Sequence, residues 1–217
     1  MKQLYLSLLF VFFGLFSSYA QQAPITFGLG KPLELNKNSG ISGSPYLLPD
    51  FQKSELITPG GRSVNNVQLR YNIYSQTIEC SVDQQIYNIS DSVARFHFVE
   101  SFEYPNIFIR IQSPQIKKPQ AQFFEIIYQG KVSLVKAIEV NISSGEDWYT
   151  KKTAKKFVIK TEYYAFVNNE LSKLGTNKKS VLNALGNSAK AKGYIDTNND
   201  VDFLSDTSLE KLFQYLN

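Results

Sequence analysis

Short runs of alternating apolar and polar residues occupy positions 46–145, and turn-forming residues interrupt them at spacings of about 8–12. In the run over 64–74, four apolar side chains fall on one face: Val67, Leu69, Tyr71 and Ile73. Such alternation places one face of a strand in a core and the other in water. Further strands are predicted over 77–82, 84–89, 94–102, 106–112, 122–128 and 131–140. The chain should be mainly β, with an antiparallel sheet arranged as a sandwich or an open barrel.

Aromatic residues are abundant in these predicted strands, because the chain contains 16 Phe and 13 Tyr. Phe96, Phe98 and Phe102 fall on one face of the strand over 94–102. We expect such residues to form cross-strand pairs in the core, since aromatic side chains suit a half-buried sheet. A carbohydrate-binding platform of exposed aromatic rings is the alternative.

Residues 146–217 change in pattern after a junction marked by Ser143-Ser144-Gly145 and Trp148. Short strands are expected over 156–161 and 163–167. The rest of this region should form two amphipathic helices that pack on the β domain.

The first of these helices is expected over 178–190, with Asn177 as its N-cap and Gly193 ending the region. The second is expected over 208–216, where Thr207 and Glu210 fit a capping box. The predicted fold is therefore an antiparallel sheet with a short two-helix C-terminal region.

Residues 1–20 have the three parts of a secretory signal peptide. Lys2 carries the positive charge, an apolar run covers 4–16, and Ser18 and Ala20 supply a small-residue cleavage site. A membrane-spanning helix would need about 20 apolar residues, and no later run is long enough either. We expect an exported protein that is periplasmic, or alternatively extracellular. The first mature residue would be Gln21 rather than Cys, which argues against a lipid anchor.

An extended N-terminal arm is expected over 21–45, because this segment is rich in Gly, Ser, Asn and Pro. An arm of this kind often becomes ordered only when a partner binds.

Lysines concentrate late in a chain whose formal net charge is +4. Five fall within ten residues: Lys151, Lys152, Lys155, Lys156 and Lys160. The overall charge is too small to predict nucleic-acid binding. The cluster is either a solvated face or a surface for an anionic partner, and the first four lysines are our candidate partner-binding residues.

Residues 196–202 form the segment that most resembles a metal site. Asp196, Asn198 and Asp200 place oxygen ligands at every second position, as a calcium loop does. Val201 stands where that loop needs Gly, and Thr207 stands where it needs Glu. A polar connector without a metal is therefore the preferred interpretation.

Catalytic groups are scattered in the sequence. The single histidine, His97, should point away from Phe96 and Phe98, and the single cysteine, Cys80, should be a buried strand residue. An exported hydrolase could still assemble a site from acids that are distant along the chain: Glu100, Glu103 and Glu125. No cofactor motif is present.

The segment from Gly43 to Phe51, with the Pro59-Gly60-Gly61 turn and the strand ending Arg70-Tyr71-Asn72, resembles a family of uncharacterised exported proteins from Bacteroidetes. The hairpin around Phe123-Phe124-Glu125 and the Leu-Phe-Gln-Tyr-Leu-Asn tail extend the resemblance over about residues 43–217. These motifs are mostly strand and turn residues. The resemblance implies an exported bacterial protein, and since the family has no assigned activity, it supplies no catalytic residues to carry over.

We therefore expect a non-enzymatic binding or accessory subunit of a bacterial cell-envelope complex. Its partner would be an envelope protein, with an outer-membrane barrel complex as one candidate. One alternative is a plug-like periplasmic subunit of the type 9 outer-membrane secretion translocon. The other is an exported hydrolase or carbohydrate-binding module.

Overall fold

A computed structural model describes residues 32–33, 40–112, 122–146, 149 and 153–217. The expected signal peptide, most of the arm over 21–45, the loop over 113–121 and Trp148 lie outside the described residues. Within those ranges the chain forms one sheet of eleven strands and three helices near its C-terminus. The prediction of a mainly β, antiparallel fold with C-terminal helices is confirmed.

The strands are β1 Ile41–Ser42, β2 Gln52–Ile57, β3 Ser63–Asn72, β4 Thr77–Val82, β5 Gln85–Asn88, β6 Arg95–Phe98, β7 Phe108–Ile111, β8 Gln122–Tyr128, β9 Ser133–Glu146, β10 Thr153–Val167 and β11 Glu170–Lys173. The helices are α1 Lys178–Ala184, α2 Ala189–Thr197 and α3 Asp206–Leu216.

The strands follow the order β1-β10-β9-β8-β7-β6-β2-β3-β4-β5, and β11 pairs with β10. Neighbours are antiparallel, except that β1 runs parallel to β10. Two hairpin turns use pairs of residues with positive φ, Asp83-Gln84 and Asn168-Asn169. Such pairs suit the tight turns that match strand twist, and Asn and Asp tolerate this conformation best.

The sheet curls around an aromatic core, as the open-barrel alternative requires. The Tyr71 ring lies edge-on to three phenylalanines: Phe96, Phe108 and Phe123. Ile138 and Val140 of β9 belong to the same core as Leu69 of β3. The Gln76 Nε2 atom donates to the Ile138 carbonyl oxygen at 3.3 Å, which links the two halves of the sheet directly.

The helices close a second core at one end of β9 and β10. Leu134 and Tyr163 of the sheet pack there with Val181 of α1, Ile195 of α2 and Phe213 of α3. On the opposite face of these strands, a smaller core contains Phe124, Val135 and Leu171. The predicted packing of amphipathic helices on the sheet is therefore observed.

β9 and β10 are longer than the sequence pattern predicts. β9 runs through Ser143-Ser144-Gly145 to Glu146, and β10 is a single strand of 15 residues in place of two short ones. Residues 141–146 of β9 are exposed throughout, so this part lacks the apolar alternation that would reveal a strand. This part of β9 is held as a strand by its backbone pairing with β10.

The helix expected over 178–190 is divided into α1 and α2. Gly186 and Asn187 have φ values of 64° and 53°, which an α-helix cannot contain. Asn177 is the N-cap of α1 as predicted, but Gly193 lies inside α2. The predicted capping box of the last helix is wrong, because Ser205 caps α3 by accepting from the Ser208 amide.

One expectation about a β-region side chain is also wrong. Phe102 is fully exposed because β6 ends at Phe98.

Candidate functional site

The lysine segment identified from the sequence lies at the exposed end of the paired strands β9 and β10. Lys155 and Lys156 are exposed residues of β10, whereas Lys151 and Lys152 lie outside the described residues. β1 pairs with this part of β10, aligning Ile41 with Lys155. Among the described residues, neither lysine has an ion-pair partner.

One edge of β10 is covered only at its ends by the described strands. β1 aligns with Lys155 and Lys156, and β11 aligns with 164–167. Gly43, whose φ of 86° is left-handed, lies against the Phe157 backbone, and the chain leaves β10 after it. On the β11 side, the Leu174 amide donates to the Tyr163 carbonyl oxygen at 2.8 Å. We call the stretch between these contacts, residues 158–162, the β10 gap.

The direction of the backbone groups in the β10 gap follows from its two ends. The Lys155 carbonyl oxygen accepts from Ser42 Oγ of β1 at 3.2 Å, and the Tyr163 carbonyl oxygen also points away from β9. In a strand, the backbone N–H and C=O groups of alternate residues point to the same side. The outward N–H and C=O groups of the gap therefore belong to Ile159 and Thr161.

The side chains around the β10 gap are apolar and basic. Val158 is 44% exposed and Ile159 is 53% exposed, while Phe157 is buried in the aromatic core. Lys160 also belongs to the gap and is exposed. The β10 surface, defined here as Lys155, Lys156, Val158, Ile159 and Lys160, combines exposed apolar side chains with positive charge. It spans both faces of the strand, because successive side chains point to opposite sides.

Glu162 is the acidic residue of the β10 gap, and two lysines neutralise it. Its Oε1 atom lies 2.6 Å from Lys160 Nζ and 2.7 Å from Lys173 Nζ. Partial burial acts to raise the pKa of Glu162, but hydrogen bonds from Lys160, Lys173 and Tyr164 outweigh it and lower the pKa to about 2. The carboxylate is therefore ionised and engaged, and the β10 surface keeps a positive balance.

The residues of the candidate calcium loop have separate partners. Asp196 lies in the last turn of α2 and forms an ion pair with Lys178. The hydrogen bond from Lys178 lowers the pKa of Asp196. The Asn198 side chain donates to the Tyr194 carbonyl oxygen, and Asp202 Oδ1 accepts from the Leu204 amide. Asp200 is exposed. In the described ranges, no three His, Cys, Asp or Glu side chains gather as a metal site requires.

The acids proposed for a hydrolase site have different environments. Glu100 is exposed and pairs with Lys53 at 3.3 Å, and Glu103 is exposed. Glu125 is buried, and Asn106 and Lys136 hold its carboxylate. His97 is partly exposed on the face opposite Phe96 and Phe98, as predicted, and aligns with Glu55 across β2 and β6.

Cys80 is completely buried in β4, which confirms the prediction for this residue. Burial raises the pKa of its thiol to about 11. Because the thiolate is the reactive form, Cys80 is chemically unreactive at neutral pH.

A buried ionic cluster that the sequence did not predict surrounds Lys136 of β9. Its Nζ atom lies 2.7 Å from Glu125 Oε2 and 2.7 Å from Asp206 Oδ2. Asn106 Nδ2 donates to Glu125 Oε1 at 2.9 Å, and the Tyr163 hydroxyl donates to Asp206 Oδ1. Burial acts to lower the pKa of Lys136, but hydrogen bonds to Asp206 and Glu125 outweigh it and raise the pKa. The cluster joins α3 to the sheet.

A cavity of about 390 Å³ lies between the β10–β11 hairpin and the helices. Ala165, Leu185 and Leu216 form part of its apolar wall, and Glu170 is its acidic residue. None of the candidate residues from the sequence lines it.

Comparison of the chain with known protein families, curated proteins and solved structures finds no match. None of the helices in the described ranges is long and apolar enough to cross a membrane. The function must therefore be inferred from the chain's own surfaces.

Proposed function

We propose that this chain is an exported, non-enzymatic protein that binds a partner protein in a bacterial cell-envelope complex. The observation that carries the proposal is the β10 surface, where Val158 and Ile159 are exposed among Lys155, Lys156 and Lys160. Exposed apolar side chains on one strand contribute affinity when a partner covers them. Surrounding charges favour a partner of opposite sign and speed its approach.

Export and the envelope location rest on the leader over 1–20 and on the resemblance stated for residues 43–217. The proposal that the protein is not an enzyme is supported by the ion pairs that engage two of the candidate acids. Lys136 holds Glu125, and Lys53 holds Glu100. A general acid or base needs access to a reacting group, and the buried Glu125 carboxylate lacks that access.

Charge reversal on the β10 surface tests this function. The double variant Lys155→Glu/Lys156→Glu changes the net charge by the same amount as the control Lys131→Glu/Lys211→Glu. Both control lysines are exposed and lie outside the β10 surface. Each tagged protein is crosslinked in envelope extracts, and captured proteins are quantified by mass spectrometry.

A specific partner should be recovered with the wild-type and control proteins and lost with Lys155→Glu/Lys156→Glu. Equal loss with both double variants would mean that overall charge alone governs capture, and would contradict the proposed surface. Retention of the same partners by Lys155→Glu/Lys156→Glu would also contradict it.

A further inference from the structure

We propose that the partner contributes an extended, acidic segment that adds to the sheet as a strand in the β10 gap. This inference rests on the proposed function and specifies how the partner would bind. The gap has the two properties that strand addition needs: outward backbone groups and neighbouring side chains that select a guest.

The backbone of the β10 gap can accept a short guest strand. Ile159 and Thr161 direct their N–H and C=O groups away from β9, and no described strand pairs with them on that side. The Phe157 backbone is already covered by Ser42 and Gly43. β1 ends at one boundary, and the Leu174 amide occupies Tyr163 at the other. At a rise of about 3.3 Å per residue, this opening matches a guest of about five residues.

β1 demonstrates that this edge of β10 accepts an extended segment from elsewhere in the chain. Two residues of β1 are enough to place Ser42 Oγ within 3.2 Å of the Lys155 carbonyl oxygen. The open edge of the gap therefore directly follows the part of β10 that already pairs with β1. A guest in the gap would continue the row of strands between β1 and β11.

The charges around the gap specify an acidic guest. Lys155, Lys156 and Lys160 are exposed along β10, and Lys173 extends the same charge onto β11. The single acid of the gap, Glu162, is already bound to Lys160 and Lys173. A guest strand with Asp or Glu would therefore be attracted by lysines at both ends of the gap, whereas a basic guest would be repelled.

The same lysines disfavour a second copy of this chain as the occupant. Edge-to-edge pairing of two β10 strands would bring the two lysine rows together, and lysines on edge strands are a common defence against such pairing. An acidic partner converts this repulsion into attraction, which is why we assign the gap to a different protein.

Amide hydrogen exchange in the free protein provides the first test. The Ile159 and Thr161 amides should exchange rapidly because they point into the gap. The Lys160 amide should be protected because it points to β9, and it serves as the internal control. Protection of Ile159 and Thr161 equal to that of Lys160 would mean that the edge is already covered, and would overturn the inference.

A synthetic peptide in which Glu and Val alternate provides the second test, with fluorescence anisotropy as the readout. Binding should protect the Ile159 and Thr161 amides and weaken as salt rises. The same peptide with alternate backbone nitrogens methylated cannot pair with a strand, and should bind at least about tenfold more weakly, or about 1.4 kcal/mol. A peptide with Lys in place of Glu should not bind.

The outcomes separate this inference from the proposed function. If the acidic peptide binds through Lys155 and Lys156 but methylation has no effect, strand addition is wrong and the basic surface stands. If binding is insensitive to Lys155→Glu/Lys156→Glu, the proposed function fails as well. Absence of peptide binding at millimolar concentration, or protection of the gap by concentration-dependent dimers in sedimentation, would also overturn strand addition.

A variant of the protein provides a further check. Ile159→Pro removes an outward N–H and should abolish peptide binding. Ile159→Thr keeps that N–H and should bind the peptide with an affinity within about threefold of wild type. Circular dichroism checks that both variants are folded. Should Ile159→Pro fail to fold, the methylated peptide alone decides the question.

Discussion

Lys136 of β9 and Asp206 of α3 meet with 2.7 Å between Nζ and Oδ2, although 70 positions separate them in the chain. The same ammonium lies 2.7 Å from Glu125 of β8. One side chain, only 10% exposed, thereby ties two strands of the sheet to the first turn of the last helix. Tyr163, which donates to Asp206, belongs to the core that the helices close.

Lys136→Met should destabilise the protein by about 3–5 kcal/mol, because it leaves the buried Glu125 carboxylate without its cation. Urea unfolding followed by circular dichroism measures the change. The control Lys131→Met alters an exposed lysine and should change the free energy of unfolding by no more than about 0.5 kcal/mol.

Adding Glu125→Gln to Lys136→Met should recover part of the lost stability, since the amide removes the uncompensated charge and still accepts from Asn106. Strictly additive effects of the two substitutions would contradict a direct ionic interaction between Lys136 and Glu125.

Strand positions were predictable where one face of a strand meets the core. The alternation from Val67 to Ile73 identified β3, and all four apolar residues of that set are buried. The position of Cys80 followed from the same pattern. Burial of these residues follows from the local alternation of apolar and polar positions, which is visible in the sequence.

The components that build the candidate surface were only partly predictable. The lysines were visible, but the β10 gap depends on where β1 ends, and that pairing joins residues 113 positions apart. Lys136 reads as a polar strand residue, and its burial requires Asp206 from a distant helix. Such relationships depend on tertiary contacts that leave no periodic pattern.

Ser205→Ala should destabilise the protein by about 1 kcal/mol, because Ser205 caps α3 through the Ser208 amide. Thr207→Ala is the matched control. Thr207 lies within the first turn and is exposed, so its replacement should have little effect. Urea unfolding compares the two, and a larger loss for Thr207→Ala would restore the capping box expected from the sequence.

Calcium should leave the melting temperature unchanged up to millimolar concentration, because Asp196 pairs with Lys178 while Asn198 and Asp202 engage the backbone. Differential scanning fluorimetry with calcium and with a chelator measures this. A melting temperature that rises with the logarithm of calcium concentration would show that the folded state binds the ion.

Glu162 should give the protein a stability contribution that disappears in acid. Its pKa in the folded state is lowered to about 2, so the unfolded chain binds a proton more readily as the pH falls. The contribution is present above the ordinary carboxyl pKa of about 4.3 and is lost as the pH falls toward 2. In urea titrations across this interval, Glu162→Gln should therefore show a shallower decline in stability than wild type. The control Glu170→Gln, an exposed acid on β11, should follow the wild-type curve. Parallel curves for Glu162→Gln and wild type would mean that Lys160 and Lys173 do not hold the Glu162 carboxylate in solution.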